Sequence, residues 1–269
     1  MTKENTTATA TLENLYRIFT VSEAPESTLG VIDQEISDNL ADFLRTRIVA
    51  QEKNLNDIEQ DFRDPVIPEH PQFVSDYTEF VLDKLVAQSV HTAAPGFIGH
   101  MAAPLPYFML PLSKIMIALN QNLVKTETSK AFTPLERQVL GMLHRLVYAQ
   151  DEEFYSEWMH DAEHALGSMC SGGTIANITA LWAARNLAFP PEGNFKGVAH
   201  EGFFRALKYY GYDGAAVIVS KRGHYSFRKA ADILGIGRDY LISVDTDDDN
   251  RIDLDALRDT CTALRNDNI

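Results

Sequence analysis

Cysteine is scarce in this chain: Cys170 and Cys261 are the only two among 269 residues. Two thiols so far apart do not make a disulfide framework, and a reducing cytoplasm fits that usage. Positive charge is also in deficit. Lys and Arg number 24 against 38 Asp and Glu, a formal net charge of −14, which argues against nucleic acid as a partner because phosphate-backbone binding needs clustered cations. No run reaches the apolar length of a membrane span. The opening MTKENTTATATLENLYR is polar and has no apolar signal core, so it implies no secretion. There is no internal repeat and no low-complexity tract. The Walker lysine pattern and G-x-G-x-x-G are both missing, so neither a nucleoside triphosphate nor a dinucleotide is supported.

What is present is 45% hydrophobic residues, enough for a sizeable core. Residues 1–30 read as a loosely ordered arm. Ile32, Ile36, Leu40, Phe43, Leu44 and Ile48 then recur at helical spacing. A second helix is expected over Phe73–Val86 and a third over Tyr107–Asn120, with the Pro-, Gly- and Ala-rich stretch 91-HTAAPGFIGHMAAPLP-106 between them as a long loop. In 133-TPLE-136, Thr133 is expected to cap a helix, Pro134 to occupy its first turn and Glu136 to close a capping box. That helix is expected to run to about Asp151. From Ala165 onward strand and helix alternate: strand Ala165–Cys170, helix Gly173–Arg185, strand Ala215–Ser220, helix Tyr225–Leu234 stopped by Gly235, strand Tyr240–Val244, helix Leu254–Leu264. This is the pattern of an α/β layer with a mostly parallel sheet.

Two stretches imitate metal sites. 160-HDAEH-164 matches a zinc-peptidase signature with Glu163 as base, but Gly167 and a strand-like run follow at once, so the helix the motif needs does not continue. 245-DTDDDNRID-253 resembles a calcium loop, yet Asn250 stands where the turn glycine belongs and Ala256 where the bidentate glutamate belongs. The expectation is no metal, with Asp253 or a neighbour capping the next helix. Cys170 borders a glycine pair, but no base accompanies it; it reads as a small buried residue ending a strand.

The chemistry is concentrated in two places. In 167-GSMCSGGTIANITALWAAR-185 a strand-like run turns into a helix at Gly172-Gly173. The glycines serve either backbone freedom in the turn or an anion site, where free N–H groups, the helix dipole and the Thr174 hydroxyl meet a phosphate. In 223-GHYSFRKAADILGIG-237, His224 follows the buried strand AAVIVS, at the strand end where open α/β sheets hold ligands. It is either a ring that lies on an aromatic cofactor or a capping histidine.

Taken in order, SGGTIANITALWAAR, SKRGHYSFRKAADILGIG and the helix start RIDLDAL resemble the group II pyridoxal-phosphate-dependent amino acid decarboxylases. Within that family the likeness is strongest to the bacterial aspartate 1-decarboxylases and their glutamate-directed relatives. The segments HTAAPGFIGHMAAP and AFTPLERQVLGML are similar to the family's substrate loop and the helix after it. The resemblance implies fold type I of the pyridoxal-phosphate-dependent transferases, an α/β fold preceded by an N-terminal helical arm. Residues 1–106 would form the arm and substrate loop, and residues 107–269 the first part of the large cofactor-binding domain. It implies that Gly172, Gly173 and Thr174 bind the phosphate of pyridoxal 5′-phosphate, that His224 stacks on its ring and serves catalysis, and that His100, Ala102 and Ala103 line the substrate side. Several relatives carry threonine where Ala103 stands. The implied activity is decarboxylation of L-aspartate to β-alanine or of L-glutamate to 4-aminobutyrate, by a cytoplasmic homodimer with active sites at the subunit interface. No His-Lys pair occurs, so the family's cofactor-anchoring lysine and the aspartate facing the pyridinium nitrogen are expected beyond Ile269. Two other readings stay open: another fold type I enzyme, such as an aminotransferase or carbon–sulfur lyase, and a non-catalytic truncated module that binds partners through its arm.

Overall fold

Leu29, Ile32, Ile36, Leu40 and Phe43, three and four apart, put one apolar stripe on helix α1, Thr28–Arg45. The computed structural model describes residues 28–70, 72–99, 101 and 104–269. Of the arm expected over residues 1–30, residues 1–27 lie outside that set. Residues 28–30 are helical, because Leu29 extends the stripe by one turn. At the other end the helix stops before Ile48, which is exposed. The chain divides into two compact units, Met1–Asn120 and Gln121–Ile269.

In the first unit α1 is followed by α2 (Leu55–Gln60), which is capped by the Asn54 side chain accepting from the Asn56 amide. Next comes α3 (Val74–Phe80), continuing as a π-helical turn over Val81–Val86, and then α4 (Met109–Leu119). α1 packs on α3 and the π turn, where Ile32, Thr78 and Leu82 are buried. Asp61 gathers Lys84 at 3.3 Å and Lys53 at 3.7 Å, and Lys84 in particular holds its carboxyl below the ordinary range. The long loop begins at a fixed point. The His91 amide donates to Val49 O at 2.7 Å, and its ring lies 4.9 Å from that of Phe43.

The second unit contains α5 (Thr126–Ser129), α6 (Phe132–Tyr148), α7 (Glu152–Trp158), α8 (Gly173–Ala188), α9 (Val198–Glu201), α10 (Phe203–Tyr210), β1 (Val217–Ser220), α11 (Ser226–Ile233), β2 (Leu241–Val244) and α12 (Leu254–Asn266). β1 and β2 pair in parallel, Val217 opposite Leu241 and Ser220 opposite Val244, with α11 in the crossover. Its apolar core is Phe189, Phe195, Val198 and Ala206, with Phe203, Leu207, Tyr209 and Tyr210 packed around them. Phe195 is 2% exposed; burying such a ring contributes about 1.5–3 kcal/mol.

Several local expectations fail for identifiable reasons. α6 starts at Phe132, so Thr133 lies inside the first turn and its hydroxyl pairs with that of Ser129 instead of capping. The same helix ends at Tyr148 because Ala149 turns left-handed (φ 48°), and Asp151 caps a new helix by accepting from the Phe154 amide at 2.9 Å. Ala165–Cys170 is not a strand: it has no ladder partner among the described residues. A strand exists only through its neighbours, whatever its own composition. The stretches Ala215–Ala216 and Tyr240 fall just outside β1 and β2, Tyr240 closing a 3₁₀ turn over Arg238–Tyr240. α11 ends at Ile233, one residue short of the expected Leu234, with Gly235 left-handed (φ 72°), and Asp253 does cap α12, accepting from the Asp255 and Ala256 amides.

Candidate cofactor site

α8 opens with Gly172 as its capping residue and no side-chain cap. Among the described residues the first helical amides, those of Gly173, Thr174 and Ile175, find no acceptor, and neither does the Thr174 hydroxyl. The reading that the glycines serve backbone freedom fails here. Gly172 is extended (φ 165°), and Gly173 does not enter the left-handed region. Crowding within the chain does not require them either, since a Cβ at either position would meet nothing within 4 Å. The pair therefore keeps open a space directly in front of three free N–H groups, the arrangement that receives an anion.

His224 reaches the same end of the unit through α11. The Asn177 side-chain amide of α8 donates to Ser226 Oγ of α11 at 2.8 Å. Farther along, Arg185 Nη1 of α8 donates to Leu234 O at 2.7 Å, closing the last turn of α11. Both pairs are separated by 49 residues, so the two helices run parallel and their N-termini lie together. Burial draws the Arg185 guanidinium down from its ordinary value. β1 and β2 end on this side too: the Lys221 amide donates to Val244 O at 2.8 Å and Lys221 Nζ pairs with Asp245 at 2.9 Å. Two helix N-termini and the carboxyl ends of two parallel strands thus converge where such sheets hold ligands.

The turn that carries His224 is sterically specified. The Gly223 amide donates to Ser220 O at 2.7 Å, and a Cβ at Gly223 would sit 2.9 Å from that same oxygen and closer still to the Val219 side chain. Gly223→Ala is expected to lower the melting temperature of the folded protein by about 3–6 °C, the equivalent of roughly 1–2 kcal/mol. A thermal unfolding curve checks this; an unchanged midpoint would mean the turn relaxes freely.

His224 itself is exposed, its ring 4.2 Å from that of Tyr225. Its Nδ1 lies 2.8 Å from Ser226 Oγ and accepts from the Ser226 amide at 3.2 Å. The sequence does not single out Asn177 or Ser226. The only available signal is that Asn177 sits one turn into the glycine-led helix and Ser226 two residues past the histidine. His100, Ala102 and Ala103 lie outside the described residues.

The other candidates separate from this end. Cys170 is half-buried, with only weak sulfur contacts to Ser168 O and Thr179 Oγ1. Lys229 lies over the Tyr225 ring at 5.2 Å. His160 and His164 do not share a helix. α7 ends at Trp158, Arg137 holds the His160 and Asp161 carbonyls, and His164 Nδ1 lies 2.7 Å from Asp161, whose carboxyl it draws down. In 245–253, Asn250 takes the left-handed position (φ 64°) that a calcium loop gives to glycine, and the turn is closed by Arg251 and Asp247 backbone groups. Among the described residues no cluster of three metal-ligating side chains forms. No helix among them is long and apolar enough to cross a membrane.

Residues 57–267 match the pyridoxal-dependent decarboxylase conserved domain. The chain belongs to that family. It is 64% identical over 257 residues to the aspartate 1-decarboxylase of Aliivibrio fischeri, covering 96% of this chain and 47% of that protein. It therefore spans about half the length of this decarboxylase relative. Among solved structures it is similar to mouse CSAD (TM-score 0.72, 21% identity, 91% of this chain and 47% of that one). It is also similar to the glutamate decarboxylase domain of a Vibrio parahaemolyticus diaminobutyrate-pyruvate transaminase and L-2,4-diaminobutyrate decarboxylase (TM-score 0.70, 16% identity, 92% and 50%). At those identities the likeness is one of fold, and the fold is type I of the pyridoxal-phosphate-dependent enzymes. The family's cofactor, pyridoxal phosphate, fits the residues present: an open space lined by free amides for its phosphate, and an exposed imidazole at the same end for its ring.

Proposed function

We propose that this chain provides the phosphate-binding turn and the ring-stacking histidine of a pyridoxal-phosphate-dependent decarboxylase that converts L-aspartate to β-alanine. The observation that carries the reading is the convergence of the Gly172–Thr174 turn and His224 at one end of the parallel helices α8 and α11. The 64% identity to an aspartate 1-decarboxylase favours aspartate over glutamate. When bound, pyridoxal phosphate supplies the electron-withdrawing ring that takes up the electron pair left as the α-carboxylate departs as carbon dioxide. The Gly173, Thr174 and Ile175 amides and the Thr174 hydroxyl would hold its phosphate, and the α8 dipole would reinforce the attraction. His224 would lie against the ring, its Nε2–H left free to donate toward substrate. His100, Ala102 and Ala103 belong to the same reading as residues lining that side.

In this reading residues 1–106 are the arm and substrate loop and 107–269 the first part of the cofactor domain, with the anchoring lysine and the pyridinium-facing aspartate contributed from outside these 269 residues. A cytoplasmic homodimer is part of it. Free Cys170 and Cys261 suit a reducing compartment. Ile115, Met116, Ile117 and Leu119 of α4 are exposed apolar side chains that suit a covered face.

The test is product analysis on the full-length protein supplied with pyridoxal phosphate and, separately, L-aspartate and L-glutamate. β-Alanine and carbon dioxide from aspartate are expected. 4-Aminobutyrate alone would move the substrate to glutamate. A 2-oxo acid without carbon dioxide would make the protein an aminotransferase.

A further inference from the structure

Ser226 is completely buried, yet its hydroxyl is engaged on both sides. Asn177 Nδ2 can only donate, so at 2.8 Å Ser226 Oγ accepts from it. The Ser226 amide also can only donate, and it points at His224 Nδ1 from 3.2 Å. Nδ1 must then present its lone pair, and the Ser226 hydroxyl hydrogen, free of Asn177, is directed at the same atom across 2.8 Å. The neutral imidazole is left with its hydrogen on Nε2, the nitrogen facing away from this chain of bonds. The ring's plane is set as well, because two donors two residues ahead in sequence hold one of its edges. Asn177 stands one helical turn, about 6 Å, beyond Gly173 on the helix that opens at the phosphate turn.

We propose that Asn177 and Ser226 are positioning residues: they lock His224 in the Nε2–H tautomer and orient its ring relative to the phosphate turn of α8. This rests on the role given to His224 under the proposed function. Two helices that merely packed together would need neither a buried hydroxyl nor an amide aimed at it. Apolar side chains would serve the packing without the cost of desolvating polar groups. The polar chain has a use if the imidazole must be presented in one tautomer and one plane, as metal-ligating and catalytic histidines are held by a partner on the opposite nitrogen.

The experiment is a double-mutant cycle on the full-length holoenzyme with L-aspartate. The variants are Ser226→Ala, Asn177→Asp and His224→Ala, singly and with each positioning variant combined with His224→Ala. Asn177→Asp keeps shape but replaces the donor by an acceptor, which draws the Ser226 hydroxyl hydrogen off Nδ1. Each positioning variant is expected to lower kcat about tenfold with KM changed less than about twofold. In the His224→Ala background each should leave kcat within about twofold, because their effect runs through the ring that is gone. Losses that multiply in that background, or an unchanged kcat in either single variant, overturn the positioning role and leave the proposed function standing. Full activity of His224→Ala alone overturns both. Should Ser226→Ala fail to fold, Asn177→Asp at its half-buried site completes the cycle by itself.

Discussion

Gly173→Val lowers the affinity of the full-length protein for pyridoxal phosphate about a hundredfold, while affinity for phosphate-free pyridoxal changes less than about threefold. The difference is the expected result, and it isolates the phosphate. Valine at the first position of α8 strains nothing: the backbone there is not left-handed, and a Cβ would meet no atom within 4 Å. Stability should hold or rise slightly, since glycine is the poorer helix residue. The branched side chain instead fills the space in front of the free amides of Gly173, Thr174 and Ile175. A phosphate held by such charge-assisted bonds loses about 1.5–3 kcal/mol for each one withdrawn. Titration of the apo-protein with both ligands, followed by cofactor absorbance, measures the two affinities. Equal losses for the two ligands would remove the phosphate from this turn.

The second large effect is expected for His224→Ala: kcat for L-aspartate falls about a hundredfold with little change in melting temperature. The side chain is exposed and contributes no buried apolar surface, so the fold has little to lose. What disappears is the imidazole that the proposed function sets against the cofactor ring, and its Nε2–H. The substitution also strips the Ser226 hydroxyl and amide of their acceptor. Removing the exposed ring opens that edge to solvent, so the stability cost stays near 1 kcal/mol. Steady-state rates and a thermal unfolding curve on the same preparation separate the two quantities. A loss of stability without a loss of kcat would return His224 to a capping role.

Much of the second unit was legible in the order of residues because its cues are local. Apolar spacing marks α11 and α12, a left-handed glycine ends α11 at Gly235, and an Asp side chain caps α12 three residues ahead of the amide it binds. The likeness of two glycine- and histidine-bearing motifs, read in sequence, was enough to name the family. Local cues failed where a neighbour decides. Ala165–Cys170 has a strand's composition but no partner to pair with among the described residues, and Thr133 has a cap's chemistry but sits one residue inside the helix it should precede.

The glycine pair itself states the division. From sequence, Gly172-Gly173 had two explanations, backbone freedom and room for an anion. Only the tertiary structure shows that both residues are unstrained and that the space before them is open. The same holds for Asn177, Ser226 and Arg185. Each bond they make or receive between α8 and α11 spans 49 residues, a distance at which no periodicity carries information. Helix, cap and turn follow from contacts within four residues and can be read along the chain. That two helices run parallel, and that the Gly172-Gly173 turn and the His224 imidazole therefore share one end, follows from packing and can be read only in three dimensions.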